Sequence, residues 1–124
     1  MRPVFLLPET VSRQNGASTE VALAQSGRPM RLTLGITRII EQESLDVSIL
    51  GSHDKEQWTE LASFPHKCYC GTYSMLLDLA RHPEVRYLRA AWRMGRWAKR
   101  ELAPLFGFYL LAEEGKLERR ASAG

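Results

Sequence analysis

The chain has 124 residues, 44% of them apolar and 25% charged, a size and balance that permit a hydrophobic core without disulfide support and exclude wholesale disorder. No apolar run approaches the ~20 residues of a membrane-spanning helix. The net charge of +3 is uneven: residues 1–62 carry 6 Lys/Arg against 8 Asp/Glu, residues 63–124 carry 11 against 6, and the excess gathers between Arg81 and Arg100.

Val4 to Leu7 reads as a short strand, or as part of an apolar N-terminal arm (residues 1–9) that docks on another surface. Pro3 and Pro8 beside it argue against a central place in a sheet. These four consecutive apolar residues fall short of the roughly 7–15 that a signal peptide requires, so synthesis in the cytosol without Sec export is the expectation. Thr10 to Thr19 is polar, and Asn15-Gly16 is a tight-turn signal. Glu20 to Ala24 returns as a strand carrying Val21 and Leu23, and Gln25 to Pro29 reads as a loop.

From Met30 strict alternation sets in. Met30, Leu32, Leu34, Ile36 and Ile40 share one face, and Arg31, Thr33 and Thr37 the other, the period of a half-buried strand. Arg38 interrupts the apolar face and marks a bulge or the strand's end. Glu41 to Ser44 is a polar connection of hairpin length, whose carboxylates are expected in solvent. Leu45, Val47 and Ile49 then point one way and Asp46 and Ser48 the other. Gly51 to Gln57 makes a polar turn, and Trp58 opens a further strand ending at Phe64.

Pro65 to Gly71 is irregular. From Thr72 alternation resumes with Tyr73, Met75, Leu77 and Leu79 on one side and Leu76 as the exception. Ala80 to Glu84 is a turn. Val85 to Met94 fits a strand that groups Leu88, Ala90, Trp92 and Met94 opposite Arg89 and Arg93, although a helix would align Arg89, Arg93, Arg96 and Arg100. The strand is preferred for Arg86 to Arg93, followed by a basic loop from Gly95 to Ala103. Pro104 to Ala112 is apolar on both faces, as in a central strand or one whose outer face meets another subunit. The tail, residues 115–124, is read as frayed. With no repeat and no second boundary, the expected fold is all-β: a single antiparallel β-sandwich, jelly-roll-like, of about eight short strands.

One segment carries a family resemblance. Val47-Ser48-Ile49-Leu50-Gly51-Ser52-His53-Asp54-Lys55-Glu56-Gln57-Trp58 resembles the hairpin of discoidin (coagulation-factor type C) domains, where a strand runs into a Gly-Ser-x-Asp-Gly-x-x-Trp turn. Val85-Arg86-Tyr87-Leu88-Arg89 is similar to the Ala-Arg-Tyr-Val-Arg strand of those domains, and similar hairpins occur in bacteriophage tail and accessory proteins. The resemblance spans residues 45–90 and implies a jelly roll used for binding or assembly. Lys55 stands where the family has Gly, the chain is shorter than a discoidin domain, and the terminal cysteine pair is absent. No ligand-binding loop of the family can be matched residue by residue.

Three side-chain groups invite chemistry. His66-x-Cys68-x-Cys70 has soft ligands that suit zinc or copper, but a structural zinc site wants four, and reduced, packed thiols are the plainer expectation. Arg86, Arg89, Arg93, Arg96, Lys99 and Arg100 interleave with Tyr87, Trp92 and Trp97, as on a nucleic-acid surface, and equally as at a protein interface. His53-Asp54 sit in a turn, where an Asx side chain bonds the local backbone. No nucleophile elbow, phosphate-cradling glycine loop or zinc-protease helix is present, and no cofactor is called for.

The pattern therefore favours a non-catalytic structural or assembly subunit of shell, capsid-accessory or filament type that forms a homo-oligomer. Its expected interface comprises Val4, Phe5, Leu6, Leu7, Trp92, Arg93, Arg96, Trp97, Arg100, Leu105, Tyr109 and Leu111. The alternative is a discoidin-like module for a glycan or protein ligand. Third comes nucleic-acid binding through Arg86 to Arg100.

Overall fold

The computed structural model describes residues 3–23, 28–39, 43–67, 69–96 and 105–115. Among them are nine strands: β1 (Val4–Ser12), β2 (Gly16–Ala17), β3 (Val21–Ala22), β4 (Pro29–Ile39), β5 (Glu43–Ser52), β6 (Thr59–Lys67), β7 (Gly71–Asp78), β8 (Tyr87–Arg96) and β9 (Phe106–Glu114). A 3-10 turn at Leu79–Arg81 follows β7. The first sheet has the order β1-β9-β4-β7; the second has β2-β8-β5-β6, with β3 also on β8. Every pairing is antiparallel.

β2 and β3 are one interrupted strand in effect. Gly16 and Ala17 oppose Trp92 and Ala91, and Val21 and Ala22 oppose Leu88 and Tyr87. Between them the Ser18 N–H donates to the Ala90 carbonyl at 2.8 Å, and the Ala90 N–H donates to Ser18 Oγ at 2.9 Å. With that strand taken as one, the eight strands divide into two four-stranded sheets in the jelly-roll order. The all-β sandwich expected from the alternation is the fold observed.

Only β5 and β6 among the described strands form a hairpin between successive strands of one sheet. The Asn15-Gly16 signal and the polar connection after β4 both lie where the chain passes between sheets. Turn residues dictate a bend, whereas burial of apolar faces chooses the strand's partner. Gly16 is needed for a second reason: a Cβ there would lie 2.8 Å from the Trp92 ring.

The core lies between the sheets. Met30, Leu32, Leu34 and Ile36 from β4 and Phe106, Phe108, Leu110 and Ala112 from β9 face Leu45, Val47 and Ile49 from β5 and Leu88 and Ala90 from β8. Trp92 reaches inward too, its ring edge-on to Phe108 at 5.3 Å and its Nε1 donating to the Gln14 carbonyl at 3.0 Å. β9 is central in its sheet, flanked by β1 and β4; one side of its apolar run enters the core and the other carries Tyr109 and Leu111 outward. The register of β4 on β9 shifts between Ile36 and Arg38, so the bulge expected at Arg38 is present.

Of the two readings of Val4 to Leu7, the strand is the one observed: the segment lies in β1, an edge strand that tolerates Pro8. Three expectations need correction. Register shifts between Phe5 and Leu7 and between Leu7 and Thr10 turn both Leu6 and Leu7 into the core, which removes them from any surface. β8 continues through Gly95 to Arg96, beyond the point where a basic loop was expected; residues 97–104 lie outside the described residues. Glu43, expected in solvent, is fully buried, with Oε1 accepting from the Leu105 N–H at 3.0 Å.

Candidate functional site

Direct pairing puts side chains of opposed residues on the same face, so the register tables define the outer surface of the first sheet. One row runs Phe5, Leu111, Thr33, Ser74 across the four strands. The row toward one end is Glu113, Arg31, Leu76; toward the other lie Tyr109, Gly35, Thr72 and then Val11, Gly107, Arg38. Four large apolar side chains are exposed among the described residues: Phe5 at 49%, Val11 at 52%, Leu76 at 39% and Tyr69 at 77%. Three of them, all but Tyr69, stand on this one face.

Tyr109 organises its middle. The Phe5 ring meets it edge-on at 6.0 Å. On its other side the Tyr109 ring lies across β4, close enough that a Cβ on Gly35 would sit 2.2 Å from it. Glycine is what lets the ring lie down on the strand. Tyr109, held by these contacts, is half-buried, and so is Leu111 beside it.

Among the described residues no strand pairs with the outer side of β7, where the face ends. Among the described residues the other long edges carry devices that discourage strand addition: Pro8 and Glu9 on β1, Glu60, Pro65 and Lys67 on β6. β7 has neither proline nor charge before Asp78.

The outer face of the second sheet is polar. Asp46, Ser48, Glu60 and Arg93 line a shallow depression of about 330 Å³. Beside it the Arg89 guanidinium lies 4.2 Å over the Trp58 ring, and Lys55 Nζ lies 4.9 Å over Tyr87. Arg93 is exposed on this side; the half-buried Trp92 turns its ring to Phe108 and also borders the depression beside Arg93. The side chain of Arg96, together with Trp97, Lys99 and Arg100, lies outside the described residues.

At one end of the sandwich a cleft of about 240 Å³ opens between the β5–β6 turn and the chain after the 3-10 turn, lined by His53, Asp54, Gln57, His82 and Glu84 among others. The turn explains its own motif. Ser52 Oγ accepts from the Lys55 N–H at 2.8 Å, Asp54 Oδ1 accepts from the Glu56 and Gln57 N–H groups at 2.9 and 3.0 Å, and Trp58 Nε1 donates to the Lys55 carbonyl at 3.1 Å. Backbone donation from Gln57, then Glu56, holds the Asp54 carboxyl below its ordinary value. Lys55 has φ of 70°, a left-handed conformation that glycine adopts more readily.

Of the residues expected at an interface, Phe5, Tyr109 and Leu111 come together on the outer face of the first sheet. Val4 and Trp92 pack against the core, and Leu105 is half-buried at the start of β9. Arg31, Leu76, Val11 and Glu113 on the same face escaped the sequence reading; Leu76 had left a trace as the one break in the alternation of β7. Of the His66-x-Cys68-x-Cys70 group, Cys70 is an exposed free thiol, and the His66 side chain and Cys68 lie outside the described residues. Among the described residues no three His, Cys, Asp or Glu side chains are placed to hold a metal ion.

No family model matches the chain, and no curated protein matches it. Among solved structures it is similar to the SPBc2 prophage-derived protein YomS, with a TM-score of 0.52 at 6% identity over 91% of this chain and 96% of that one. It also aligns with a chain of infectious bursal disease virus, Gx strain, with a TM-score of 0.48 at 8% identity over 92% of this chain and 32% of the viral one. At such identities the likeness to the prophage protein is one of fold.

Proposed function

We propose that the protein is a non-catalytic assembly subunit that associates with copies of itself through the outer face of the sheet β1-β9-β4-β7. One observation carries this: Phe5, Val11 and Leu76, three of the four large apolar side chains exposed among the described residues, project from that face around Tyr109 and Leu111. Singly exposed apolar side chains need no explanation, but their convergence on one sheet face bordered by an unprotected edge does. Shell, capsid-accessory and filament subunits all work by such contacts. A sandwich fold hosts many roles, so the surface chemistry and not the fold supports this choice.

Phe5→Asp and Leu76→Asp test it. Each side chain is exposed, so thermal midpoints should stay near that of the parent while self-association, followed by sedimentation velocity, weakens at least tenfold. An unchanged association constant in both variants would remove this face from the account.

The end cleft favours a second function, a discoidin-type module that takes a glycan or protein ligand between its loops, since polar side chains converge there. A glycan array with no signal, together with no loss of partner capture on His82→Ala, would count against it. Nucleic-acid binding through the arginines of β8 has less support, because Trp92, the stacking residue beside Arg93, is committed to Phe108.

A further inference from the structure

We infer that two copies pack these faces against each other about a two-fold axis that runs parallel to the strands between β9 and β4. This rests on the self-association proposed above and specifies its register. In the order β1-β9-β4-β7 such an axis exchanges β9 with β4 and β1 with β7, the reciprocal pattern of an isologous contact. Arg31 and Glu113 are direct partners in the β4–β9 ladder and sit on either side of that axis. The rotation therefore sets Arg31 of one copy opposite Glu113 of the other, twice.

The same operation brings Phe5 on β1 toward Leu76 on β7 of the second copy, again twice. These two stand one row apart, about 7 Å along the strand; the roughly 30° angle between packed sheets shifts the edge strands by about 4 Å, and the length of the two side chains must span the rest. Leu111 comes opposite Thr33, its ladder partner, and the two Tyr109 rings meet across the axis. A two-fold axis perpendicular to the strands would instead lay Arg31 over Arg38 and leave Glu113 over Gly107. Charge complementarity thus selects the parallel axis.

Two more observations agree. Arg31 and Glu113 make no ion pair among the described residues although they oppose each other on the sheet, so both charges remain to be met by another copy. The area also suffices. Four strands about 4.8 Å apart and about eight residues long cover roughly 500 Å² per copy, or about 1,000 Å² in total, the lower bound of a specific interface.

The test is a mixing experiment with Arg31→Glu and Glu113→Arg, followed by sedimentation and light scattering. Each variant alone faces like charges at both contacts and should dimerise at least tenfold more weakly than the parent. Mixed in equal amounts they restore opposite charges at both contacts, and a heterodimer of near-parental affinity should form. The mixture reads only contacts between chains, so a disturbed fold cannot mimic the rescue. Singles that dimerise like the parent, or a mixture no tighter than either component, would overturn this register while a self-associating parent upheld assembly. A parent that stays monomeric, or that binds only a different protein through this face, would overturn both. Should either charge variant fail to fold, Phe5→Glu mixed with Leu76→Lys asks the same question at the neighbouring contact, with the same expected rescue.

Discussion

Glu43 offers the sharpest check on the packing of the sandwich. Its side chain is fully buried at the start of β5, and Oε1 accepts from the Leu105 N–H at 3.0 Å, joining the second sheet to the chain entering β9. Glu43→Ala leaves that N–H without its acceptor, which costs about 1–3 kcal/mol for a buried group. Loss of the Cγ methylene adds about 0.8 kcal/mol. The total of about 2–4 kcal/mol corresponds to a fall of roughly 6–20 °C in thermal midpoint for a chain of this length. Glu43→Gln keeps an acceptor of the same shape and should lose only about 1 kcal/mol. Urea unfolding of the three proteins measures both steps. The reasoning fails if the alanine variant is as stable as the glutamine one, because then the carboxylate would carry no hydrogen bond that matters.

Two predictions concern the β5–β6 turn. Lys55 holds a left-handed backbone that disfavours side chains by about 1–2 kcal/mol, against about 0.5–1 kcal/mol of added entropy for glycine and the lost contacts with Tyr87 and, across an exposed ion pair, Glu20. Lys55→Gly should therefore unfold at or slightly above the parent's urea midpoint, and Lys55→Val clearly below it; the reverse order would refute the strain. Asp54 has a folded pKa below its ordinary 3.8, so its contribution is present above that value and is lost as pH falls through the folded value. Asp54→Asn should lower stability at neutral pH by an amount that shrinks below pH 3.8, and a pH-independent difference would contradict the assignment.

What could be seen in the sequence was what short-range patterns encode. Period-2 burial marked β4 and β5 because one face of each meets the core, and the double-sided apolar run marked β9 as central. The turn at Ser52 to Trp58 was legible because its hydrogen bonds close within a few residues. Asn15-Gly16 announced a bend but not that the chain would change sheets there, since that depends on which distant strand covers β1. Leu6 and Leu7 broke the alternation through register shifts that only pairing with β9 creates. Glu43 found its partner in Leu105, far along the chain, and no local pattern announces such a bond. The face proposed for assembly was half legible for the same reason. Phe5, Tyr109 and Leu111 drew notice as apolar runs, while Arg31 and Glu113 acquire meaning only when β4 and β9 lie side by side.

Self-association is the claim from which the rest of the functional account follows, and the mass of the untagged protein in solution tests it most directly. Light scattering over a rising concentration series, with negative-stain images of the same samples, should give a mass at or above twice the 14.1 kDa of one chain. A mass that stays at one chain up to the highest soluble concentration would contradict assembly as the function and turn attention to the cleft beside His53 and His82.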